Sequence, residues 1–381
     1  MTHRLSTGLL IRDDSNLGII VYSPFTGLLF SCLEPPEVKE ELLRWLDGSS
    51  KKHPDEQYRR SLGAGWAVNL ANAKYPRNHF LSSTGLPPRS YKPDSLLVIN
   101  WMITGRCSCK CKYCYATDIM ECRTSSPNGM EMTSIAQQVL SYQPLVVVLT
   151  GGDPLEEQGL EVALDALHGR TGIIIDTNGF GITEKKVKLF KRHEVFVRVS
   201  LDSERPKVNN ALRPSRSGKC SLDAAINCIN LCMKHNVGIG VQSVITKENM
   251  SDIDPLRQKL YKLGITSWRL QILANHSRFK DYELLKPNLG RLKDSILPGL
   301  GLVNRIGWDD VMSIQIVDNT VPNAVVLVTP DGRFVTELHG KVPLSTDNPH
   351  SPSMSQIVQG PLNLDAHTDR YLGPAAPRAV N

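Results

Sequence analysis

The cysteines of this chain are the residues whose type and spacing most directly indicate chemistry. Five of the nine lie between positions 107 and 122, and none follows Cys232. Cys107, Cys111 and Cys114 form a C-x3-C-x2-C pattern on one short stretch. In a chain without an evident export signal, such clustering predicts metal binding or redox chemistry rather than disulfides. Three thiolates on one loop can hold three irons of a four-iron four-sulfur cluster and leave the fourth iron open to a small molecule.

An alternation of apolar strands and helices begins at the same point of the chain and must position these thiols. The strand candidates are apolar runs at Leu96–Ile103, Leu145–Leu149, Gly172–Ile175, Val195–Leu201, Gly238–Ile245 and Ser267–Leu273. Helical patterns lie between them at Met132–Tyr142, Leu160–His168, Glu184–His193, Leu222–His235 and Ile253–Leu263. Strands that are apolar on both faces favour a buried parallel sheet, so we expect an α/β fold, a partial (β/α)6 TIM-type barrel. In such folds the site lies where the strands end.

Short polar motifs stand at three of these strand ends. The second strand continues into Gly151-Gly152-Asp153-Pro154, and the third ends in Asp176-Thr177-Asn178-Gly179. The fourth ends in Ser200-Leu201-Asp202 and is followed by Asn209-Asn210-Ala211-Leu212-Arg213. Each motif alone would be an ordinary turn; their value lies in their position after consecutive strands.

Together, these motifs resemble the radical S-adenosylmethionine (SAM) superfamily over about residues 95–275. The resemblance implies that Cys107, Cys111 and Cys114 hold one [4Fe-4S] cluster and that SAM binds its open iron. It further implies that an electron from an external reductant of the flavodoxin or ferredoxin type cleaves SAM to a 5′-deoxyadenosyl radical, which abstracts hydrogen from a substrate. The residues expected to contact SAM are Tyr113, Gly151, Gly152, Asp153, Asn178, Ser200, Asp202, Arg213 and Gln242.

The sequence departs from the family pattern at two of these motifs. Asp153 replaces the glutamate whose backbone and side chain bind the SAM amine in the family, and its reach is shorter. Asn209 and Asn210 stand where the family has His-Asp, but Arg213 remains available to pair with the SAM carboxylate.

The two ends of the chain resemble accessory parts of peptide-modifying members of this superfamily. Residues 8–34 read as a β-meander, followed by a helix from Pro36 to Leu46, a linker and one helix near 56–73. This pattern is similar to a precursor-recognition domain, in which a leader peptide adds a strand to the sheet. Near the other end, Val328–Val335 resembles the hairpin of a SPASM or twitch extension. Without cysteines there, no auxiliary cluster is expected, and residues from about 341 read as a loose tail.

These observations divide the chain into three parts and lead to one functional hypothesis. Residues 1–92 would be the small N-terminal β-meander and helix domain with its linker, 93–275 the partial barrel, and 276–381 a C-terminal α+β cap and tail without cysteines. We expect a radical SAM enzyme that modifies a ribosomally synthesised peptide, by epimerisation or cross-linking. The candidates for a hydrogen-donating thiol are Cys109, Cys122 and Cys220.

Two alternatives remain open from the sequence. The first is a radical SAM enzyme that acts on a nucleotide, an RNA or a cofactor precursor, with the basic segment around Lys51-Lys52 contacting phosphate. The second is a non-catalytic zinc or iron–sulfur module, with Cys228 and Cys232 as further ligands. Their spacing on one predicted helix favours packing in the core instead.

Composition limits the class of protein further. Hydrophobic residues make up 41% and charged residues 22% of the chain, which excludes a collagen, a wholly disordered chain and a disulfide mini-protein. The net charge of +6 is spread along the chain, so we do not expect a nucleic-acid partner. No apolar run approaches the roughly 20 residues of a membrane helix, so we expect a cytoplasmic protein without a membrane partner.

Overall fold

The computed structural model describes most of the barrel region and parts of both ends of the chain. The described residues are 2–5, 8–14, 18–25, 27–32, 40, 43–44, 49, 65–69, 77–81, 95–117, 129–265, 267–275, 281–292, 313–318, 323–336 and 343–372.

An antiparallel sheet at the N-terminus, here called the N-terminal sheet, contains the expected meander. Its strands lie in chain order: β1 Thr2–Arg4, β2 Leu10–Asp14, β3 Gly18–Ser23 and β4 Leu28–Cys32. Strand β1 adds to the three strands that the sequence predicts. Most of the helix expected from Pro36 to Leu46 lies outside the described residues.

The prediction of a helix near residues 56–73 is wrong over part of that range. Gly65–Asn69 is a strand, β5, which pairs with β6 at Arg77–Leu81 in an antiparallel hairpin. Trp66 and Val68 favour a pleated strand over a helix, and the neighbouring strand provides the hydrogen bonds that the helix would have supplied internally.

The main sheet confirms the α/β class and all six expected parallel strands. These are β7 Val98–Thr104, β8 Val146–Gly151, β9 Gly172–Thr177, β10 Phe196–Ser200, β11 Ile239–Ile245 and β12 Ser267–Ile272. They lie side by side in chain order and pair in parallel. Residues of β7 and β8 are almost completely buried, because layers of side chains cover both faces of a parallel sheet.

Helices cover the outer face of this sheet. In the barrel region they are α1 Gly129–Ser141, α2 Leu160–Leu167, α3 Glu184–Arg192, α4 Pro206–Leu212, α5 Ser221–Lys234 and α6 Ile253–Lys262. Two short helices follow at Tyr282–Leu285 and Leu289–Arg291 (α7 and α8). Cys228 and Cys232 of α5 are fully buried in the core that these helices form with the sheet, as expected of packing residues.

The residues after 275 do more than form a cap. Strand β13, Ser313–Asp318, pairs in parallel with β12, and β14, Val326–Val328, pairs in parallel with β7 at the other edge. The predicted hairpin is present, since β14 pairs with β15 at Phe334–Thr336. The main sheet therefore has nine strands rather than six.

The expectation of a loose tail from about residue 341 is wrong. Two helices follow, α9 Met354–Gln359 and α10 Leu364–Leu372. The side chains of Ser353 and Gln356 form a capping box that fixes the start of α9. Ile357 and Tyr371 are buried, so both helices also gain stability by packing. A polar composition concealed this apolar face.

The N-terminal sheet packs against one end of the barrel. Arg12 donates hydrogen bonds to the carbonyl oxygens of Leu96 and Gln143, and Arg4 forms an ion pair with Glu194 at 2.6 Å. These three partners all precede strands of the main sheet. The N-terminal sheet therefore covers the end where the parallel strands begin, opposite the cysteine loop, which follows a strand.

Within the part of the chain that the structure describes, no helix combines the length and the apolar character needed to cross a membrane.

Candidate functional site

The predicted cluster cysteines lie on a loop that follows β7 and lines one cavity. Cys107, Cys111 and Cys114 are each partly exposed, and Cys109 between them is 1% exposed. The loop is fixed by backbone hydrogen bonds to the chain segment after α4, such as Lys110 N to the Pro214 oxygen at 2.8 Å. The loop thus keeps three thiols at the mouth of the barrel without a helix or strand of its own.

The two glycines at the end of β8, Gly151 and Gly152, allow the cysteine loop to approach the sheet closely. The amide of Gly152 donates to the oxygen of Thr104 at 2.8 Å, and that of Asp153 donates to the oxygen of Arg106 at 2.7 Å. A Cβ atom at Gly151 would lie 2.4 Å from the Thr104 oxygen, and one at Gly152 would lie 2.0 Å from the Arg106 oxygen. Only glycine fits at these positions.

Asp153 is buried and bonded to the protein itself. Its carboxylate accepts hydrogen bonds from the Leu155 amide at 2.9 Å, the Thr177 hydroxyl at 2.9 Å and the Asn178 amide at 2.7 Å. Burial raises the pKa of Asp153 to about 7. The side chain therefore joins the turns after β8 and β9, and any contact with the SAM amine would compete with three protein donors.

Asn178 connects this network to the cysteines. Its side-chain amide donates to the Cys107 sulfur at 3.5 Å, and its side-chain oxygen accepts from the Phe180 amide at 2.8 Å. An N–H donor next to a thiolate is the type of contact that tunes a sulfur ligand.

Arg213, expected to bind the SAM carboxylate, already has partners in the protein. Its Nη1 donates to the Tyr113 hydroxyl at 2.5 Å and lies 3.4 Å from the Asp202 carboxylate. The Tyr113 hydroxyl also bonds to Asp202, whose other oxygen accepts from the Val244 amide at 2.8 Å. Asp202 does not line the cavity itself, but it positions two residues that do.

Asn209 and Asn210, at the positions compared above with a His-Asp pair, have structural partners. The side-chain oxygen of Asn209 accepts from the Asp202 amide at 3.0 Å. The side-chain oxygen of Asn210 accepts from the backbone amides of Ser221 and Leu222, at the start of α5. Both therefore fix the segment that carries Arg213.

The remaining predicted SAM contacts share the cavity with the cysteines. Ser200 ends β10, and Gln242 lies in β11, where its side-chain oxygen accepts from Gln271 at 3.0 Å. The cavity has a volume of about 160 Å³. The residues that it shares with the predicted set are Cys107, Cys109, Cys111, Tyr113, Cys114, Gly151, Gly152, Asp153, Asn178, Ser200, Arg213 and Gln242.

The three candidate hydrogen donors have different positions. Cys109 lines the cavity. Cys220 precedes α5, where its sulfur accepts a hydrogen bond from the Asn210 amide at 3.2 Å, and it is not among the residues that line the cavity. Cys122 lies outside the described residues. The structure thus brings Cys109, but not Cys220, to the site.

Electrostatic conditions differ among the thiols of the loop. A hydrogen bond from Cys109 lowers the pKa of Cys111 to about 7 and raises that of Cys109. Burial raises the pKa of Cys114 to about 11 and that of Cys107 above its usual range. Binding of a metal would deprotonate all three ligands, which overcomes the raised pKa of Cys107 and Cys114 and acts in the same direction as the lowered pKa of Cys111.

The arrangement of donors fits a cluster with several metal atoms. Among the described residues, no three side chains of His, Cys, Asp or Glu surround a point where a single metal ion could bind. A [4Fe-4S] cluster takes one thiolate on each of three irons, so its ligands lie further apart than those of one ion. Cys107, Cys111 and Cys114 line one cavity, and three thiols are the set of donors that such a cluster needs from the protein.

Sequence reasoning missed a group of charged residues deeper in the barrel. Arg198 in β10, Arg269 in β12 and Arg370 in α10 line the same cavity, together with Asp176. Asp176 accepts two hydrogen bonds from Arg198, at 2.6 and 2.8 Å. A signal was present in the sequence, because Arg198 interrupts the apolar run Val195–Val199 and Arg269 lies between Trp268 and Leu270.

A family model matches the central region of the chain. Residues 101–260 match the Radical SAM superfamily. The chain is 30% identical over 168 residues to Fe-coproporphyrin III synthase of Methanosarcina barkeri, which covers 43% of this chain and 40% of that protein. It is 27% identical over 180 residues to mycofactocin maturase MftC of Mycolicibacterium smegmatis. This match covers 45% of this chain and 44% of MftC. The chain thus spans less than half the length of these two relatives.

Solved structures share the fold over a larger part of the chain. The crystal structure of SuiB from Streptococcus suis superposes with a TM-score of 0.58 at 13% identity, and covers 96% of this chain and 90% of that one. A structure of SuiB bound to the precursor peptide SuiA superposes with a TM-score of 0.53 at 14% identity, and covers 99% of this chain and 90% of that one. At this identity the likeness shows the fold alone.

Proposed function

We propose that this chain, a member of the radical SAM superfamily that resembles its peptide-modifying enzymes, acts as a radical SAM enzyme on a ribosomally synthesised peptide. The family uses a [4Fe-4S] cluster and SAM. One observation supports the proposal above the others. The three cysteines of the C-x3-C-x2-C pattern line a single cavity together with residues from the ends of four parallel strands.

In this proposal Cys107, Cys111 and Cys114 hold the cluster, and the cavity beside them accepts SAM. When both are bound, they supply a 5′-deoxyadenosyl radical, which abstracts a hydrogen atom from a substrate carbon. An external one-electron reductant of the flavodoxin or ferredoxin type is needed. The role of the barrel is to bind the reactants, orient them and exclude water from the radical.

The residues around the cysteines orient the cofactor rather than react. Arg213 is held by Asp202 and Tyr113 with its guanidinium buried at the cavity wall. A fixed cation there attracts the SAM carboxylate without having to be ordered first. Asn178 directs an amide N–H at the sulfur of Cys107.

A peptide substrate is supported by the N-terminal sheet and by the relatives. Strands β1 and β4 each have a strand partner on one side only among the described strands, so either edge could accept a leader peptide as a further strand. This sheet lies at the opposite end of the barrel from the cysteine loop. The length of β7 measures the distance between the two ends of the barrel: its seven residues extend about 23 Å. A peptide bound at both ends therefore needs at least about seven extended residues to cover that length.

The hydrogen-donor residues favour a redox-neutral outcome such as epimerisation over cross-linking. Of the cysteines proposed for this role and described here, Cys109 is the one that lines the cavity. Residues 233–381 contain no cysteine, so this segment supplies no thiolate ligand to an auxiliary cluster that could accept an electron.

A small-molecule substrate is the second candidate. The identity to Fe-coproporphyrin III synthase and the arginines inside the barrel both favour it. Affinity for a leader peptide separates the two, because a small-molecule enzyme has no use for one.

Two experiments test the proposal. Anaerobically reconstituted and reduced protein, incubated with SAM, should form 5′-deoxyadenosine, and Cys111→Ala should not; absence of the nucleoside from the wild type would refute radical chemistry. A synthetic leader encoded next to this gene should bind the full chain in fluorescence anisotropy, with a scrambled leader as control. The full chain is required, because deletion of the N-terminal sheet would expose the apolar end of the barrel.

A further inference from the structure

Arg269 is a buried cation that the proposed radical chemistry does not use. It lies near the start of β12, opposite Gln242 of β11, and it lines the cavity that holds the cysteine loop. The residue is 6% exposed, and among the described residues its Nε and Nη2 atoms have no hydrogen-bond partner. A charged group in this position is unfavourable unless a partner arrives.

The neighbouring strand shows which partner fits. Arg198 lies in β10 and binds the Asp176 carboxylate through its Nε and Nη2 atoms, at 2.6 and 2.8 Å. The same two atoms of Arg269 have no partner among the residues that the structure describes. A guanidinium presents this pair of donors at the spacing of the two oxygens of one carboxylate.

The surroundings of Arg269 strengthen the attraction for an anion. Its guanidinium carbon lies over the Tyr371 ring, 5.7 Å from the centre of the ring. Burial, followed by the charges of Arg198 and Arg370, lowers the pKa of Arg269 to about 9, so the group is still protonated at neutral pH. An anion at this place would relieve the repulsion among three arginines.

We propose that Arg269 binds a carboxylate of the substrate inside the barrel and so presents the reacting carbon to the cysteine end of the cavity. This inference rests on the proposed function, because it assigns a substrate group to the same cavity. Arg269 lies three residues before the end of β12, and the cysteine loop follows the end of β7. The bound carboxylate would therefore lie deeper in the barrel than the reacting carbon of the substrate, which faces the cysteine loop. It is either an acidic side chain or the C-terminal carboxylate of the peptide, since both share this chemistry.

Calorimetry on the cluster-loaded, SAM-bound full chain tests the inference with small probes. N-acetylglutamate N-methylamide represents an acidic side chain, and N-acetylalanine represents a C-terminal carboxylate. N-acetylglutamine N-methylamide is the uncharged control, and inorganic phosphate is the competing anion. We expect one carboxylate probe to bind at least about tenfold more tightly than the amide control. Hydrogen bonds to a charged group favour the charged ligand over its neutral analogue by that factor or more. The tighter of the two carboxylates identifies the source.

Variants assign the binding to Arg269. Arg269→Met should weaken the carboxylate probe about tenfold or more, and Arg269→Lys should weaken it less, because the charge remains and the fork is lost. Arg257→Gln, at a surface arginine paired with Asp254, is the matched control and should bind like the wild type. Without probe, Arg269→Met should melt at a higher temperature than the wild type, since it removes an unpaired buried charge.

Several results would overturn the inference. Equal probe affinity for wild type and both Arg269 variants would do so, as would failure of the wild type to prefer either carboxylate over the amide. Tighter binding of phosphate than of both carboxylates would assign the site to another anion. These measurements need no SAM cleavage, so their failure is distinct from a failure to form 5′-deoxyadenosine.

Discussion

Gly152→Ala should dislodge the cysteine loop while leaving the barrel folded. The new methyl carbon would lie 2.0 Å from the Arg106 oxygen and 2.4 Å from the Arg106 carbonyl carbon. Comfortable carbon–oxygen contacts are about 3.3–3.6 Å, so the loop must move by roughly 1.3 Å. The atoms in contact are backbone on both sides, so no side-chain rotation can relieve the overlap.

The magnitude follows from the hydrogen bonds that such a movement breaks. Gly152 N to the Thr104 oxygen and Asp153 N to the Arg106 oxygen, at 2.8 and 2.7 Å, connect the loop to the end of β8. Each contributes about 1 kcal/mol, and an amide left buried without a partner costs about 1–3 kcal/mol more. We expect a loss of about 3–5 kcal/mol. At roughly 0.8 kcal/mol per K for a chain of 381 residues, the melting temperature should fall by about 4–6 °C. Displacement of ligands that lie this close should weaken metal retention about tenfold or more.

The assay compares iron and acid-labile sulfide per chain after anaerobic reconstitution, together with thermal unfolding. Gly169→Ala is the matched control, because Gly169 has a φ of +74° but no heavy atom within 4 Å of the added carbon. It should lose only about 1 kcal/mol, from the left-handed backbone, and keep its iron. If Gly152→Ala retained wild-type iron and stability, the close approach of loop and sheet would be refuted as the reason for the glycine pair.

Three further predictions concern single side chains. Burial raises the pKa of Asp153 to about 7, so the folded chain keeps a proton that the unfolded chain releases above its usual pKa of 3.8. This carboxyl should therefore make the free energy of unfolding fall as pH rises from about 4 to about 7. Urea titrations of Asp153→Asn should lack that pH-dependent component. Tyr113→Phe removes the hydroxyl that Arg213 contacts at 2.5 Å and should lower the free energy of unfolding by about 1–3 kcal/mol; unchanged stability would show that this bridge is unimportant. Cys111→Ala should abolish cluster binding with little effect on folding of the apo protein. Cys228→Ala, at a fully buried position, should keep the cluster and lower the free energy of unfolding by about 1 kcal/mol. If iron analysis and denaturation gave the reverse result for the two variants, the division into ligand and packing cysteines would be wrong.

The sequence was sufficient to predict the six parallel strands and most of the residues that line the cavity. Fully apolar runs such as Val146–Leu149 have few alternatives to a buried strand, so their position could be read directly. The polar motifs follow these strands immediately in the chain. Their meeting at one edge is a consequence of parallel order, which a strand–helix alternation already implies.

The sequence misjudged the C-terminal third of the barrel sheet and the tail. Strand β14, Val326–Val328, joins β7 across more than two hundred positions of the chain, and nothing local marks that pairing. Helix α10, Leu364–Leu372, has a polar composition, yet Tyr371 is 7% exposed because the barrel encloses it. Long-range burial, not local propensity, sets these elements.

What the sequence alone determined was the chemistry that the residues could perform. The chemistry is encoded in local patterns, namely three cysteines at C-x3-C-x2-C spacing and a Gly-Gly-Asp-Pro turn. Such patterns can be recognised in the sequence because a few neighbouring positions determine the ligands on one loop and the backbone of one turn. What only the tertiary structure decided was which charged groups already have partners in the protein. Arg213 is bonded to Tyr113 and Asp202, and Asp153 to three donors, whereas two donors of Arg269 have no partner in the part of the chain that the structure describes. The energy of a buried charge depends on every group within a few ångströms, and those groups come from strands and helices far apart in the chain.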